Sequence, residues 1–193
     1  NLILADSHGV SLYSMSGRKL FSYSDSFSSP QIAVSRKYFV VYEQNGNKLS
    51  VYSKIGLLYQ KDDYEFPITN CFVSDSGKIL VATRSRENST CVYLYNEKFS
   101  VIGQYENSRQ LVSCALSNDG RYVALATVEA ENGVFRSVTT LYETSKAEQI
   151  FRIEKNNAFP LRILLTDDKR VVLCCTDTLY FYNENAELYA TYD

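Results

Sequence analysis

Apolar and polar residues alternate with a period of two over most of the chain, as in "KLSVYSK" (Lys48–Lys54) and "TLYFYNE" (Thr178–Glu184). That period places every second side chain on the same face of an extended backbone, so the pattern predicts β-strands. No stretch carries the 3.6-residue period of an amphipathic helix. The apolar runs are short and are separated by Gly, Asn, Asp and Ser clusters, the residues that tight turns demand. In the segment that begins at Leu111 the pattern predicts strands at Leu111–Leu116, Tyr122–Val128, Ser137–Tyr142 and Gln149–Ile153. An all-β, antiparallel chain follows.

The strands recur in register. "CFVSDSGKILVAT" (Cys71–Thr83) and "CALSNDGRYVALAT" (Cys114–Thr127) share a Cys, a Ser-x-x-Gly-basic turn and an apolar exit. The turn residues Ser35, Ser74, Ser117 and Thr166 lie 39, 43 and 49 positions apart, and Tyr13, Tyr52, Tyr95, Tyr142 and Tyr182 lie 39, 43, 47 and 40 apart. All three prolines, Pro30, Pro67 and Pro160, precede the first strand of a unit, where a missing N–H breaks no ladder bond. Four complete four-stranded units therefore occupy about 30–66, 67–109, 110–159 and 160–193. Residues 1–29 supply the second to fourth strands of another, for about nineteen strands in all.

A lone four-stranded meander cannot bury both faces of its sheet, and stacking such sheets around an axis does so. The first strands, "QIAVS", "NCFVS", "SCALS" and "RILLT", are the most apolar, as the axis requires. The fourth strands mix in charge, which protects an outer edge. The expected fold is a β-propeller forming a single domain over 1–193, in four complete blades plus three strands of a fifth. One added strand would close five blades, whereas three or four added blades would make a ring of seven or eight. An open ring should associate with another copy.

Composition narrows the function classes. The chain has 193 residues, a net charge of −2 and no basic cluster, which argues against a nucleic-acid partner. No apolar run reaches the roughly 18 residues of a membrane span, so this segment is not expected to insert in a membrane. It begins at Asn1 rather than Met, as a processed product or an excised fragment would, and any targeting segment would then lie upstream. The five cysteines show no C-x-x-C spacing and read as buried thiols, and neighbours such as Cys174 and Cys175 point to opposite faces of a strand. Cys71 and Cys114 hold equivalent places in the repeat.

"ALSNDGRYVALAT" and "FVSDSGKILVAT" resemble the Ser-x-Asp-Gly-[Lys/Arg] signature of WD-repeat-like and TolB-type β-propellers, most clearly over residues 67–142. The Tyr-rich blades ending "IGQYE" and "LYATYD" are similar to an uncharacterised family of bacterial propeller proteins, common in Firmicutes and carried behind one N-terminal membrane helix. The resemblance implies fold, tethering and an extracytoplasmic location, but no activity. The Gly-His and Trp-Asp dipeptides of true WD repeats are absent, and the chain contains no Trp.

Candidate chemistry is sparse. Asp75, Asp119, Asp167 and Asp168 read as turn residues, because a calcium loop needs denser carboxylates. His8, the only histidine, sits in a Ser-His-Gly turn; a Ser–His–Asp triad around it is the sharper reading, an exposed turn residue the plainer one. Asp62 and Asp63 read as a solvated rim. No metal, cofactor or catalytic residue is expected. The clearest irregularity is loop length: from turn Ser/Thr to third-strand Tyr the spacing is 17, 21, 25 and 16 residues. The excess falls in two neighbouring loops, Arg84–Thr90 and Val128–Ser137, which should project beside the proline-containing linkers. Their Arg84, Arg86, Glu87, Glu129, Glu131, Phe135 and Arg136 form the candidate partner-binding surface, a mixed-charge patch with one aromatic. The expected function is a non-enzymatic interaction or scaffold module for a protein or cell-envelope ligand. The alternatives are a hydrolase or lyase with its site on the propeller axis, or a self-assembling structural domain.

Overall fold

The computed structural model describes residues 1–84, 90–107, 109–131, 133–146 and 148–193. It contains five antiparallel meanders. Blade 1 is three-stranded: β1 (Leu2–Asp6), β2 (Gly9–Tyr13) and β3 (Lys19–Ser24). Blade 2 comprises β4 (Pro30–Val34), β5 (Tyr38–Glu43), β6 (Leu49–Ser53) and β7 (Gly56–Lys61). Blade 3 comprises β8 (Ile68–Val73), β9 (Ile79–Arg84), β10 (Thr90–Tyr95) and β11 (Val101–Asn107). Blade 4 comprises β12 (Gln110–Leu116), β13 (Tyr122–Glu131), β14 (Val134–Glu143) and β15 (Glu148–Asn156). Blade 5 comprises β16 (Pro160–Leu165), β17 (Val171–Cys175), β18 (Leu179–Tyr182) and β19 (Leu188–Tyr192). Register confirms that β1 is a second strand: Leu2 faces Tyr13 as Phe39 faces Tyr52.

Four apolar clusters hold the five sheets face to face. Val10 and Leu12 of blade 1 meet Phe39, Val41 and Tyr52 of blade 2. Val40, Leu49 and Val51, on the other face of blade 2, meet Ile68, Cys71 and Val81 of blade 3. Leu80 and Leu94 then meet Cys114 and Leu125, and Ala124 and Leu141 meet Ile163 and Leu173. Alternation along each strand thus serves two junctions at once. First strands touch the neighbouring blade's first or second strand, as in β4 with β8 and β12 with β16, which places them innermost. The most deeply buried strands of blades 2 and 3 are nevertheless the middle pairs, because the innermost strand has only one neighbour within its sheet.

The recurring Ser/Thr of the first turn has a mechanical role. Its hydroxyl accepts the N–H that closes the turn: Tyr38 N to Ser35 at 3.1 Å, Lys78 N to Ser74 at 2.9 Å, Tyr122 N to Ser117 at 3.0 Å and Arg170 N to Thr166 at 3.0 Å. These turns also link blade to blade. Arg36 N donates to Asp75 Oδ1 (2.7 Å), Asp75 N to the Asn118 carbonyl (2.7 Å) and Asp119 N to Asp167 Oδ1 (3.0 Å). The aspartates are structural acceptors at one end of the ring. Gly120 has φ +76°, and a Cβ there would lie 2.6 Å from Ser76 Oγ, so the neighbouring turn needs glycine at this point.

The expected loop at Val128–Ser137 is mostly strand. β13 and β14 are ten residues each and pair from Tyr122↔Glu143 to Glu131↔Val134, turning at Gly133 with φ +79°. The added length extends a hairpin because "ENG" supplies turn chemistry only at its tip. β15, at nine residues, also outruns its expected span.

Two outcomes test this architecture by urea denaturation. Leu141→Ala should cost about 2–5 kcal/mol by opening a cavity at the blade 4–5 junction. Asp75→Ala should cost about 0.5–1.5 kcal/mol, the net worth of the hydrogen bond it accepts from the exposed Arg36 N–H, which water can then solvate.

Candidate functional site

The extended hairpin and the blade-to-blade linkers share one end of the ring. Asn157 N in the blade 4–5 linker donates to the Phe135 carbonyl (2.7 Å), and Arg84 N donates to the Pro67 carbonyl (3.0 Å). Between blades 3 and 4 this end opens into a cleft of about 420 Å³, lined by Thr69, Asn70, Arg84, Thr90, Gln110 and Ser113 among others. Its lining comes from β8, β9, β10 and β12, and it adjoins the apolar junction of blades 3 and 4 through Ala82 and Cys114, which belong to both.

Several of the cleft's acceptors are already engaged. Asn70 Oδ1 accepts from Cys71 N (2.9 Å) and the Tyr42 hydroxyl (3.5 Å), and Ser113 Oγ accepts from Ile163 N (3.1 Å). What remains toward the cleft is donor-rich: the Asn70 amide group, the Ser113 hydroxyl hydrogen and the Arg84 guanidinium. Arg84 has no ion-pair partner among the described residues. The arrangement suits a ligand with a negatively charged or acceptor-rich group.

The other candidate residues sit differently from the single mixed-charge patch expected. Glu129 and Arg136 face each other across β13 and β14 and belong to a chain of ion pairs. Arg109 Nε meets Glu129 Oε2 at 2.5 Å, and Glu129 Oε1 lies 3.8 Å from Arg136 Nη1. Arg136 also pairs with Glu154, whose other oxygen meets Arg152 Nη2 at 2.7 Å. The Arg136 hydrogen bond, foremost, holds the Glu154 carboxyl below its ordinary value. These charges are largely spent on one another. Phe135, on the opposite face of the hairpin, packs edge-on against Phe159 at 6.2 Å yet remains 52% exposed. It faces the blade 4–5 linker, away from the cleft. Arg86 and Glu87 lie outside the described residues, and of Glu131 only the strand position is described.

Asn70, Thr90, Gln110 and Ser113, together with Arg109, Arg152 and Glu154, were not singled out by sequence. A signal existed for one pairing: Asn132 and Gly133 mark a hairpin tip, and counting outward sets Glu129 opposite Arg136. The cleft had no such signal, since its walls come from strands some 40 residues apart.

The remaining suspects resolve on geometry. Ser7 Oγ lies 3.2 Å from His8 Nδ1, and Asp6 Oδ1 lies 3.8 Å from that same nitrogen. A triad needs serine and carboxylate on different ring nitrogens, and this imidazole is exposed in a turn. Asp63 is engaged by Lys61. All five cysteines are free thiols, and burial pushes Cys114 up to about 12 and Cys175 up to about 11, far from reactive thiolate character.

Comparison with known proteins agrees with the bladed architecture. A solved structure described as "Structure of Dos1 propeller" superposes with a TM-score of 0.68 at 10% identity, covering 95% of this chain and 52% of that one. At that identity the likeness is one of fold: a β-propeller, of which this chain spans about half the length of its structural neighbour. No curated protein matches. The model of a family of unknown function, DUF5711, matches residues 1–191, nearly every residue whose strands and turns build these blades; the chain belongs to that family.

Proposed function

We propose that the chain is a non-enzymatic interaction module that engages a protein partner through the cleft between blades 3 and 4. The observation that carries this reading is the cleft itself. It holds donors and the Arg84 guanidinium, which has no ion-pair partner among the described residues, at the end of the ring where the hairpins project. Its chemistry fits an extended acidic segment, with a carboxylate at Arg84 and backbone carbonyls toward Asn70 and Ser113. The ion-paired hairpin adjoins it through β13, whose Val128 pairs with Gln110 of the lining. Attachment to a bacterial membrane through sequence outside these residues, as the family resemblance implies, belongs to the same proposal; cell fractionation with an antibody to this domain tests it.

Fluorescein-labelled hexaglutamate and hexalysine peptides serve as binding probes, read by anisotropy at low salt. Hexaglutamate should bind and hexalysine should not. Arg84→Glu should weaken hexaglutamate roughly tenfold or more, the loss of one charge-assisted contact. Phe135→Ala should leave it unchanged, because that ring faces away from the cleft. Equal binding of hexaglutamate by Arg84→Glu and the parent chain would refute the site.

The ion-paired hairpin carries a pH signature. A carboxyl whose folded value is lowered stabilises the fold above its unfolded value and loses that contribution as pH falls through the folded value. For Glu154 the ordinary value is 4.5. The Tm gap between the parent chain and Glu154→Gln should therefore be widest near neutrality and close as pH drops below 4.5.

A further inference from the structure

The end of the ring that carries the first turns divides its charge unevenly. In an antiparallel meander the first turn and the third-to-fourth-strand hairpin leave from the same end of a blade. On blades 1 and 2 these segments read "SMSGRK" (Ser14–Lys19), "SRK" (Ser35–Lys37) and "SKIG" (Ser53–Gly56), with five cations and no carboxylate. On blades 3 to 5 every such segment holds Asp or Glu: "SDSGK", "NEKFS", "SNDGR", "ETSKAE", "TDDKR" and "NENAE". The backbone amides of this end are spent on joining blades, but the basic side chains of blades 1 and 2 are not. Arg18, Lys37 and Lys54 have no ion-pair partner among the described residues. Arg36 pairs with Asp75 of the next blade at 3.3 Å and stays exposed.

Register gathers these cations. Tyr38 faces Ser53 at the end of β5 and β6, so Lys37 and Lys54 leave the ladder side by side. Phe21 of β3 stacks on Phe39 and Tyr52, at 6.3 and 6.0 Å, which brings the Arg18–Lys19 tip to the same corner. Beside Lys54 stands Ile55, 90% exposed at the tip of the β6–β7 hairpin. Tight hairpin turns favour Gly, Asn or Asp, so turn formation does not call for isoleucine there. Its exposure is not an end effect, because blade 2 is packed on both faces. Leu58, the extra residue where β7 bulges, adds a second half-exposed apolar side chain behind the tip.

We propose that this corner docks on an anionic lipid surface, with Ile55 entering the headgroup layer and Arg18, Lys19, Lys37 and Lys54 resting on the phosphates. Shape and chemistry favour a bilayer over an acidic protein segment. The cations ride on projecting tips around an apolar side chain instead of lining a groove. A lipid interface takes up such a tip while holding the cations at headgroup level. This docking is peripheral, and it uses the end of the ring opposite the cleft.

Vesicles of phosphatidylcholine, with and without an equal part of phosphatidylglycerol, test it by co-sedimentation at low salt. The chain should bind the anionic vesicles roughly tenfold or more tighter than the neutral ones. Lys37→Glu combined with Lys54→Glu should weaken that binding roughly tenfold or more. Lys98→Glu combined with Lys146→Glu, the same change of charge on blades 3 and 4, should weaken it about twofold at most, as should Arg84→Glu. The chain has no Trp, so Ile55→Trp installs a single reporter whose emission should shift to the blue on anionic vesicles. All these side chains are at the surface, and the variants should keep the parent's Tm. Equal binding to both vesicle types overturns the proposal, as does equal loss from the two double variants or unshifted emission from I55W. It is overturned too if no vesicle binds and the Lys37/Lys54 double variant instead loses hexaglutamate, which would make the corner a site for an acidic peptide.

Discussion

Each blade is a sheet with two apolar faces, and neither can be covered from within the blade. Everything else in the structure answers that constraint. The alternation of Val40 and Val41 sends one side chain to blade 3 and the next to blade 1, so neighbouring residues of one strand belong to different cores. Stability is therefore shared among four junctions rather than concentrated in one centre. A methyl group lost at Leu141 is felt by blades 4 and 5 together.

Packing of flat faces leaves rotation about the axis loosely specified, and the first turns supply the missing constraint. Their backbone amides reach forward to the next blade, to Asp75, Asn118 and Asp167 in succession. The aspartates that resemble ligands in a linear reading thus act as acceptors between blades, and the hydroxyls of Ser74 and Ser117 are consumed in closing their own turns. One end of the ring is in this way committed to structure. The opposite end, where linkers and second-to-third-strand hairpins meet, is left free to vary, and the length differences fall there.

That division explains why the candidate surface was only partly legible. Spacing between Ser117 and Tyr142 revealed extra residues, and their position between second and third strands revealed the end from which they project. Spacing could not show that the extra residues prolong β13 and β14, because strand and loop differ in pairing rather than in length. Nor could it show that Glu129, Arg136 and Glu154 neutralise one another. Glu154 reaches Arg136 diagonally across two strands, a contact that depends on the bulge between Leu141 and Tyr142. The result separates Arg84, which has no ion-pair partner among the described residues and lies at a donor-lined cleft, from neighbours of similar appearance in the chain.

The sequence by itself determined the number of strands, their grouping and the register of the first turns. All of these are local or periodic properties, readable from a period of two and a repeat of about forty. Tertiary structure alone decided which faces meet, which acceptors the turns find and where polar groups gather. Those outcomes depend on residues from different blades arriving at one place. The cleft between β8 and β12 is of this kind, a property of the space between two blades that no single stretch of sequence encodes.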